Sequence, residues 1–256
     1  MTGETPAEPS EELKDYFFNL ILYRQSNLIP PFLEKYPDSV NWRFSQDLTP
    51  LMESVMQQHH DITGMLLKAG AKVDDRAVSG VNPMYYAGRS VGAIDLLLDY
   101  GADINMATDN GSTALINATE NWDGGPAALK LIERGANLEV VGWDNCTPLL
   151  KAAWQGAPAI CSALLRMGAN INAVDNQGRN AKQIAEWGRD HNTENSKYLK
   201  TLEVLEPAFA AKSRQELLAA LDGIHKEVED GVSKPVTVGK ALRFRPRDFY
   251  RFCMKH

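Results

Sequence analysis

A pair of large aliphatic residues followed three positions later by Gly-Ala occurs four times in this chain. The copies are Leu66-Leu67 before Gly70-Ala71, Leu97-Leu98 before Gly101-Ala102, Leu131-Ile132 before Gly135-Ala136, and Leu164-Leu165 before Gly168-Ala169. The glycines are 31, 34 and 33 residues apart. A near-constant period of this size restricts the chain to stacked supersecondary units. One such unit cannot bury its own apolar face, so each copy completes its core against its neighbours. The product is an extended scaffold with a long exposed face, which favours binding over catalysis.

A second landmark sets the phase of the repeat. Upstream of each Gly-Ala lies Thr49-Pro50-Leu51, Asn82-Pro83-Met84, Thr113-Ala114-Leu115 or Thr147-Pro148-Leu149, with Ser54, Ala87, Ala118 or Ala152 five positions after the opener. Thr and Asn side chains accept from the orphan N–H groups of a helix start, and Pro fits the first helical position. The small residue permits close approach of neighbouring helices. The Gly serves as a left-handed stop to the second helix. The expected unit is turn, helix, tight loop, helix, stop.

With openers and stops in register, the chain resembles the ankyrin-repeat family. The matching residues are Thr147-Pro148-Leu149 with Ala152, Gly168-Ala169-Asn170-Ile171-Asn172, and Asp175-Asn176-Gln177-Gly178. The resemblance covers about residues 12–206. It implies an all-α ankyrin-repeat solenoid, helix-turn-helix repeats joined by β-turn loops, here with a C-terminal helical appendage. The family's opener His is replaced by Met52, Tyr85, Ile116 and Leu150, which implies weaker hydrogen bonding between repeats. Repeat two is two residues short before Leu97, and repeat three carries Gly124-Gly125-Pro126 with one extra residue. Local distortion is expected at both places.

The chain divides as follows. Residues 1–10 form a disordered tail and 11–43 a degenerate capping repeat; full repeats occupy 44–76, 77–107, 108–141 and 142–174. A C-terminal capping repeat spans 175–210, its second helix ending before Pro207. An added amphipathic helix (211–231) opens with the capping box Ser213-Arg214-Gln215-Glu216 and carries Leu217, Leu221, Ile224 and Val228 on one face. It either packs on the cap repeat or binds a partner itself. Residues 232–256 form a basic-aromatic tail, whose Lys240–His256 stretch has six basic residues against Asp248 alone, +5 on a chain of net −6. Phe244, Phe249, Tyr250 and Phe252 are interleaved. Such a tail can fold back on the acidic repeats, dock on a protein, or bind nucleic acid or an anionic surface. Overall acidity argues against a nucleic-acid partner.

No run approaches the ~18 apolar residues of a membrane span. The acidic N-terminus lacks the apolar stretch of a secretory signal. Cys146, Cys161 and Cys253 have neither disulfide nor zinc spacing, so a cytoplasmic location is expected. No Gly-rich phosphate loop, Gly-x-Ser-x-Gly or His-Glu-x-x-His occurs, and adjacent His59 and His60 cannot share a helix face. His191 falls in a polar stretch that reads as loop, and Cys146, just ahead of an opener, is expected to be exposed. No catalytic residue, cofactor or metal is expected, and a monomer is. An enzyme with its site in the appendage ranks last, since fewer than ~50 residues cannot readily bury a catalytic core.

The resemblance further implies binding through a concave face made of β-turn tips and the exposed positions of each first helix. In this chain those tips are Ser45 and Gln46, Val78 and Ser79, Asp109 and Asn110, Trp143 and Asp144, and Asn176 and Gln177. The helix positions are Met56 and Gln57, Arg89 and Ser90, Glu120 and Asn121, Trp154 and Gln155, and Trp187. Three of the five tryptophans thus fall on this face, all in its C-terminal half. They await either a partner protein, in an inhibitory, immunity-type or adaptor role, or the chain's own C-terminal segment.

Overall fold

The computed structural model describes residues 9–120, 125–142, 144–191, 195–211 and 213–231. The described residues are helical, with a lone β-bridge, Val174 to Asn180. They divide into two compact units, one drawn from Met1–Ala118 and Pro126–Ala136, the other from Thr119–Gly125 and Asn137–His256.

The first unit opens with α1 (Glu11–Leu22) and α2 (Ile29–Lys35), capped by Ser10 at the N-terminus of α1. These two helices close the end of the stack with aromatic rings. Phe17 and Phe32 stack 4.4 Å apart at 5°, and Trp42 meets both edge-on. Helix pairs follow: α3 (Pro50–Met56) with α4 (His60–Lys68), α5 (Pro83–Ala87) with α6 (Val91–Asp99), then α7 (Ala114–Glu120) and α8 (Gly125–Glu133). First helices pack on first helices and second on second, so α3 meets α1 and α5 while α4 meets α6.

Each opener performs its expected task. Thr49, Asn82, Thr113 and Thr147 accept from the backbone N–H three residues on, from Met52, Tyr85, Ile116 and Leu150. Ser54, Ala87, Ala118 and Ala152 are all fully buried where first helices meet. The four stop glycines take φ values between +83° and +97°, a conformation that other residues adopt only with strain. Leu66, Leu97, Leu131 and Leu164 of the second helices are fully buried, each contributing about 2 kcal/mol. The shortened repeat two shows as a five-residue α5 against seven in α3.

Hydrogen bonds still link neighbouring pairs although the opener histidines are missing. His59 Nδ1 lies 2.9 Å from Ile21 O, and His60 Nε2 lies 2.7 Å from Ser90 Oγ. The Asn117 amide donates to Tyr85 O at 2.7 Å.

The second unit contains α9 (Pro148–Gln155), α10 (Pro158–Arg166), α11 (Ala181–His191), α12 (Asn195–Ala210) and α13 (Arg214–Gly231). Helix α9 packs on α11, α10 packs on α12, and α13 lies against both α12 and α10. Asn180 and Gln183 cap α11 reciprocally, each side chain accepting from the other's backbone N–H at 3.0 Å. Ser213 Oγ accepts from Glu216 N at the start of α13. That helix buries Leu221 and half-buries Leu217 and Ile224; the Val228 side chain and the tail 232–256 lie outside the described residues.

Two local expectations are corrected. Helix α12 continues through Pro207 to Ala210, because a proline this near the end removes one donor while Ala211 N still bonds Pro207 O. Burial of Leu205 and Ala208 holds the last turn in place. His191 is the last residue of α11 and not a loop residue.

Candidate functional site

In the first unit the candidate residues fall on separate ridges. Tip residues Ser45, Gln46, Val78, Ser79, Asp109 and Asn110 are exposed. Guanidinium groups tie successive tips together. Arg43 donates to Asp75 Oδ1 and Arg76 O, and Arg76 donates to Asp109 Oδ1 and Ala107 O. Asn110 Oδ1 accepts from Thr108 Oγ1 and Ser112 N, which fixes its own turn. Met56 is exposed at the end of α3 and Arg89 in the turn just after α5, not on the first helix as expected, while Gln57 is half-buried. Ser90, expected outside, is buried as the N-cap of α6, accepting from Ala93 N.

Beneath Met56 and Gln57 lies a buried carboxyl that the sequence did not single out. Glu53 is 1% exposed; its Oε1 accepts from the Gln57 amide at 2.9 Å, while Oε2 is buried with no partner. Burial pushes its pKa above the usual glutamate value, against the lowering effects of Gln57 and His59. A carboxyl whose folded pKa is raised contributes stability below its unfolded pKa and loses it as pH rises through the folded value. Glu53→Gln, which keeps the shape and the acceptor for Gln57, is therefore expected to stabilise the protein by about 1 kcal/mol at neutral pH. The gain disappears at pH 4 and below, as urea melts at the two pH values will show.

In the second unit the residues converge. Trp154 of α9 and Trp187 of α11 each lie seven positions after their opener, and α9 packs directly on α11. Their rings stack with centroids 5.1 Å apart at 13°. His191, one turn beyond Trp187 and so on the same helix face, stacks on it at 4.5 Å and 11°. Among the described residues the result is a row of three rings, with Trp154 and Trp187 half-buried and His191 exposed.

This row rests on Tyr198 of α12. The Tyr198 hydroxyl donates to Trp154 O at 3.0 Å, and its ring occupies the space where a side chain on Gly188 would point. Gly188→Ala would collide with that ring, forcing Tyr198 aside and breaking its bond beneath Trp154. Overpacking of this kind costs about 1–3 kcal/mol, measurable as a lowered urea midpoint together with a red-shifted tryptophan emission.

A buried ion-pair cluster fixes the neighbouring tip. Lys151 of α9 is 2% exposed and pairs with Glu120 and Asp144, each at 2.5 Å. Burial lowers its pKa, but the two carboxylates outweigh that and hold Lys151 above the usual lysine value. Asp144 Oδ1 also accepts from Cys146 N, and the Gln155 amide donates to Glu120 O at 2.9 Å. Asp144 is therefore not an exposed tip residue as expected. It is buried because the tip folds inward to meet Lys151. Cys146 is buried with it, against expectation. Burial pushes the Cys161 thiol up to about 12, so it is inert at neutral pH. Asn176 and Gln177 remain exposed. Trp143 and Asn121 lie outside the described residues.

Comparison with known families agrees with this register. The family described as ankyrin repeat matches residues 46–77, and that described as ankyrin repeats in three copies matches residues 90–175. The chain is an ankyrin-repeat protein. Its fold is the all-α ankyrin solenoid. It is similar to an ankyrin repeat domain from Acinetobacter baumannii with a TM-score of 0.63 and 25% identity, covering 80% of this chain and 96% of that one. Among curated proteins it is 28% identical over 203 residues to the ankyrin repeat protein nuc-2 of Neurospora crassa, covering 77% of this chain and 18% of that protein. It is 30% identical over 178 residues to mouse ankyrin repeat and SOCS box protein 16, covering 53% of this chain and 39% of that one. The chain thus spans well under half the length of these curated relatives. Ankyrin repeats are generally protein–protein interaction modules and typically non-catalytic. No helix among the described residues is long and apolar enough to cross a membrane.

Two parts of this ankyrin surface escaped the sequence reading. His191 carries a readable signal, its i,i+4 spacing from Trp187. The support from Tyr198 does not, because it depends on how α12 sits under α11.

Proposed function

We propose that this protein is a non-catalytic binding module that grips another protein through the first-helix face of its second unit, centred on Trp154 and Trp187. The observation that carries this reading is the row Trp154–Trp187–His191, near-parallel stacked rings left partly open on adjacent first helices. Tryptophan is enriched at binding hot spots because it offers a large rigid apolar area with few torsions to freeze. Gln155, Glu120 and the exposed tip residues Asn176 and Gln177 supply a polar rim beside the rings. In the first unit Met56, Gln57, Arg89, Asp109 and Asn110 hold the equivalent sequence positions of their own repeats. A reducing compartment such as the cytoplasm suits the buried free thiols of Cys146 and Cys161.

The test is affinity capture followed by mass spectrometry, comparing wild type with Trp154→Ala/Trp187→Ala, while circular dichroism follows whether each still melts cooperatively. Loss of a specific partner from a folded variant supports the reading. Full retention of that partner removes it.

A further inference from the structure

The same face carries a charge pattern that the chain's own C-terminal sequence complements. On α11 two ridges run side by side. Trp187 and His191 form one; Glu186 and Asp190, 38% and 55% exposed, form the other. Among the described residues the carboxylates are held by surface pairs, Lys182 to Glu186 at 3.8 Å and Arg189 to Asp190 at 2.9 Å, which contribute little and exchange readily. The ring ridge thus lies beside an acidic ridge of the same pitch.

Residues 232–256 have the matching pattern. Seven basic residues against Asp248 give this segment +6, which leaves −12 on the preceding 231 residues of a chain at −6. Within it Arg243, Arg245 and Arg247 alternate with Phe244 and Pro246. Proline at 246 disfavours helix for Arg245 and favours an extended run. In an extended run, alternate residues point the same way about 6.7 Å apart. Carboxylates four residues apart on a helix are about 6 Å apart. Arg245 and Arg247 therefore match Glu186 and Asp190 in spacing as well as charge. The segment leaves from Gly231 at the end of α13, which packs on α10 and α12 of the same unit. The nine residues to Lys240 reach about 30 Å, more than the ~20 Å across two packed helices.

We propose that the Arg243–Arg247 segment docks intramolecularly on α11, its arginines on Glu186 and Asp190 and Phe244 against the Trp187–His191 ridge. The tail then competes with the partner for the face described above. This inference rests on that reading for its regulatory meaning, but not for its geometry.

The test uses the full chain with Phe244→p-benzoylphenylalanine, irradiated and mapped by mass spectrometry. Intramolecular crosslinks are expected within residues 150–156 or 183–191. The yield is expected to fall about tenfold in Glu186→Arg/Asp190→Arg, the scale of two ion pairs. Adding Arg245→Glu/Arg247→Glu to that variant is expected to restore it. The tail double variant alone, which alters no helix of the stack, is expected to lose the crosslink equally, as is raising salt from about 0.05 to 0.5 M. Crosslinks to other helices, crosslinks only between two copies, or a yield unmoved by charge reversal would overturn the proposal. Any of these outcomes leaves the Trp154/Trp187 capture result standing, and failure of that capture leaves the crosslink standing.

Discussion

Asp144→Ala is expected to destabilise the second unit by about 3 kcal/mol, the scale for removing one partner from a buried ion pair. Lys151 is nearly sealed from water and relies on Asp144 and Glu120 for its charge. Taking Asp144 away removes one of the two carboxylates paired with Lys151 and also an acceptor of Cys146 N. Asp144→Asn separates the two effects. It keeps an oxygen for Cys146 N but removes the charge, so its cost falls between wild type and alanine. Lys151 is held above its usual pKa, so its contribution is complete below the unfolded lysine value and fades only as pH rises through the folded one. The alanine deficit is therefore the same at pH 6 and pH 8, as paired urea titrations will show. A deficit below about 1 kcal/mol would mean that Glu120 alone satisfies Lys151.

The largest functional effect is expected from the rings. Trp154→Ala/Trp187→Ala should weaken partner binding by about 2–4 kcal/mol, roughly 30- to 1000-fold. Trp187 is the middle ring, so its loss unstacks both Trp154 and His191. Trp187→Ala alone is therefore expected to cost more affinity than Trp154→Ala, and Trp187→Phe less than either. Stacking between aromatic rings is worth about 0.5–1.5 kcal/mol beyond area, so the double variant also loses modest stability. A binding titration on variants first matched for cooperative melting separates these terms.

How much of this was legible beforehand depends on the range of each interaction. Caps at Thr49, Asn82, Thr113 and Thr147, the stops at Gly70, Gly101, Gly135 and Gly168, and the buried Ser54, Ala87, Ala118 and Ala152 are all local chemistry repeated at one period. Repetition turns weak signals into a firm register. The register in turn placed Trp154 and Trp187 on one face. Asp144 was misplaced for the opposite reason: a tip position exposes most side chains, but Lys151 seven residues on and Glu120 of the preceding first helix draw this one inward. Cys146 followed it. Glu53 looked like an ordinary helical glutamate, and only packing of α3 between α1 and α5 buries it. Pro207 read as a stop, yet burial of Leu205 and Ala208 carries α12 past it. Non-local packing decided each of these, and the sequence period contains no trace of it.

The most direct test of the binding face is hydroxyl-radical footprinting of the full chain with and without the captured partner, read residue by residue. Bound partner is predicted to suppress oxidation of Trp154, Trp187 and His191 while leaving Met167 and Leu199, exposed on the second-helix side, unchanged. Unchanged oxidation of both tryptophans, with protection confined to α10, α12 or α13, would contradict the account.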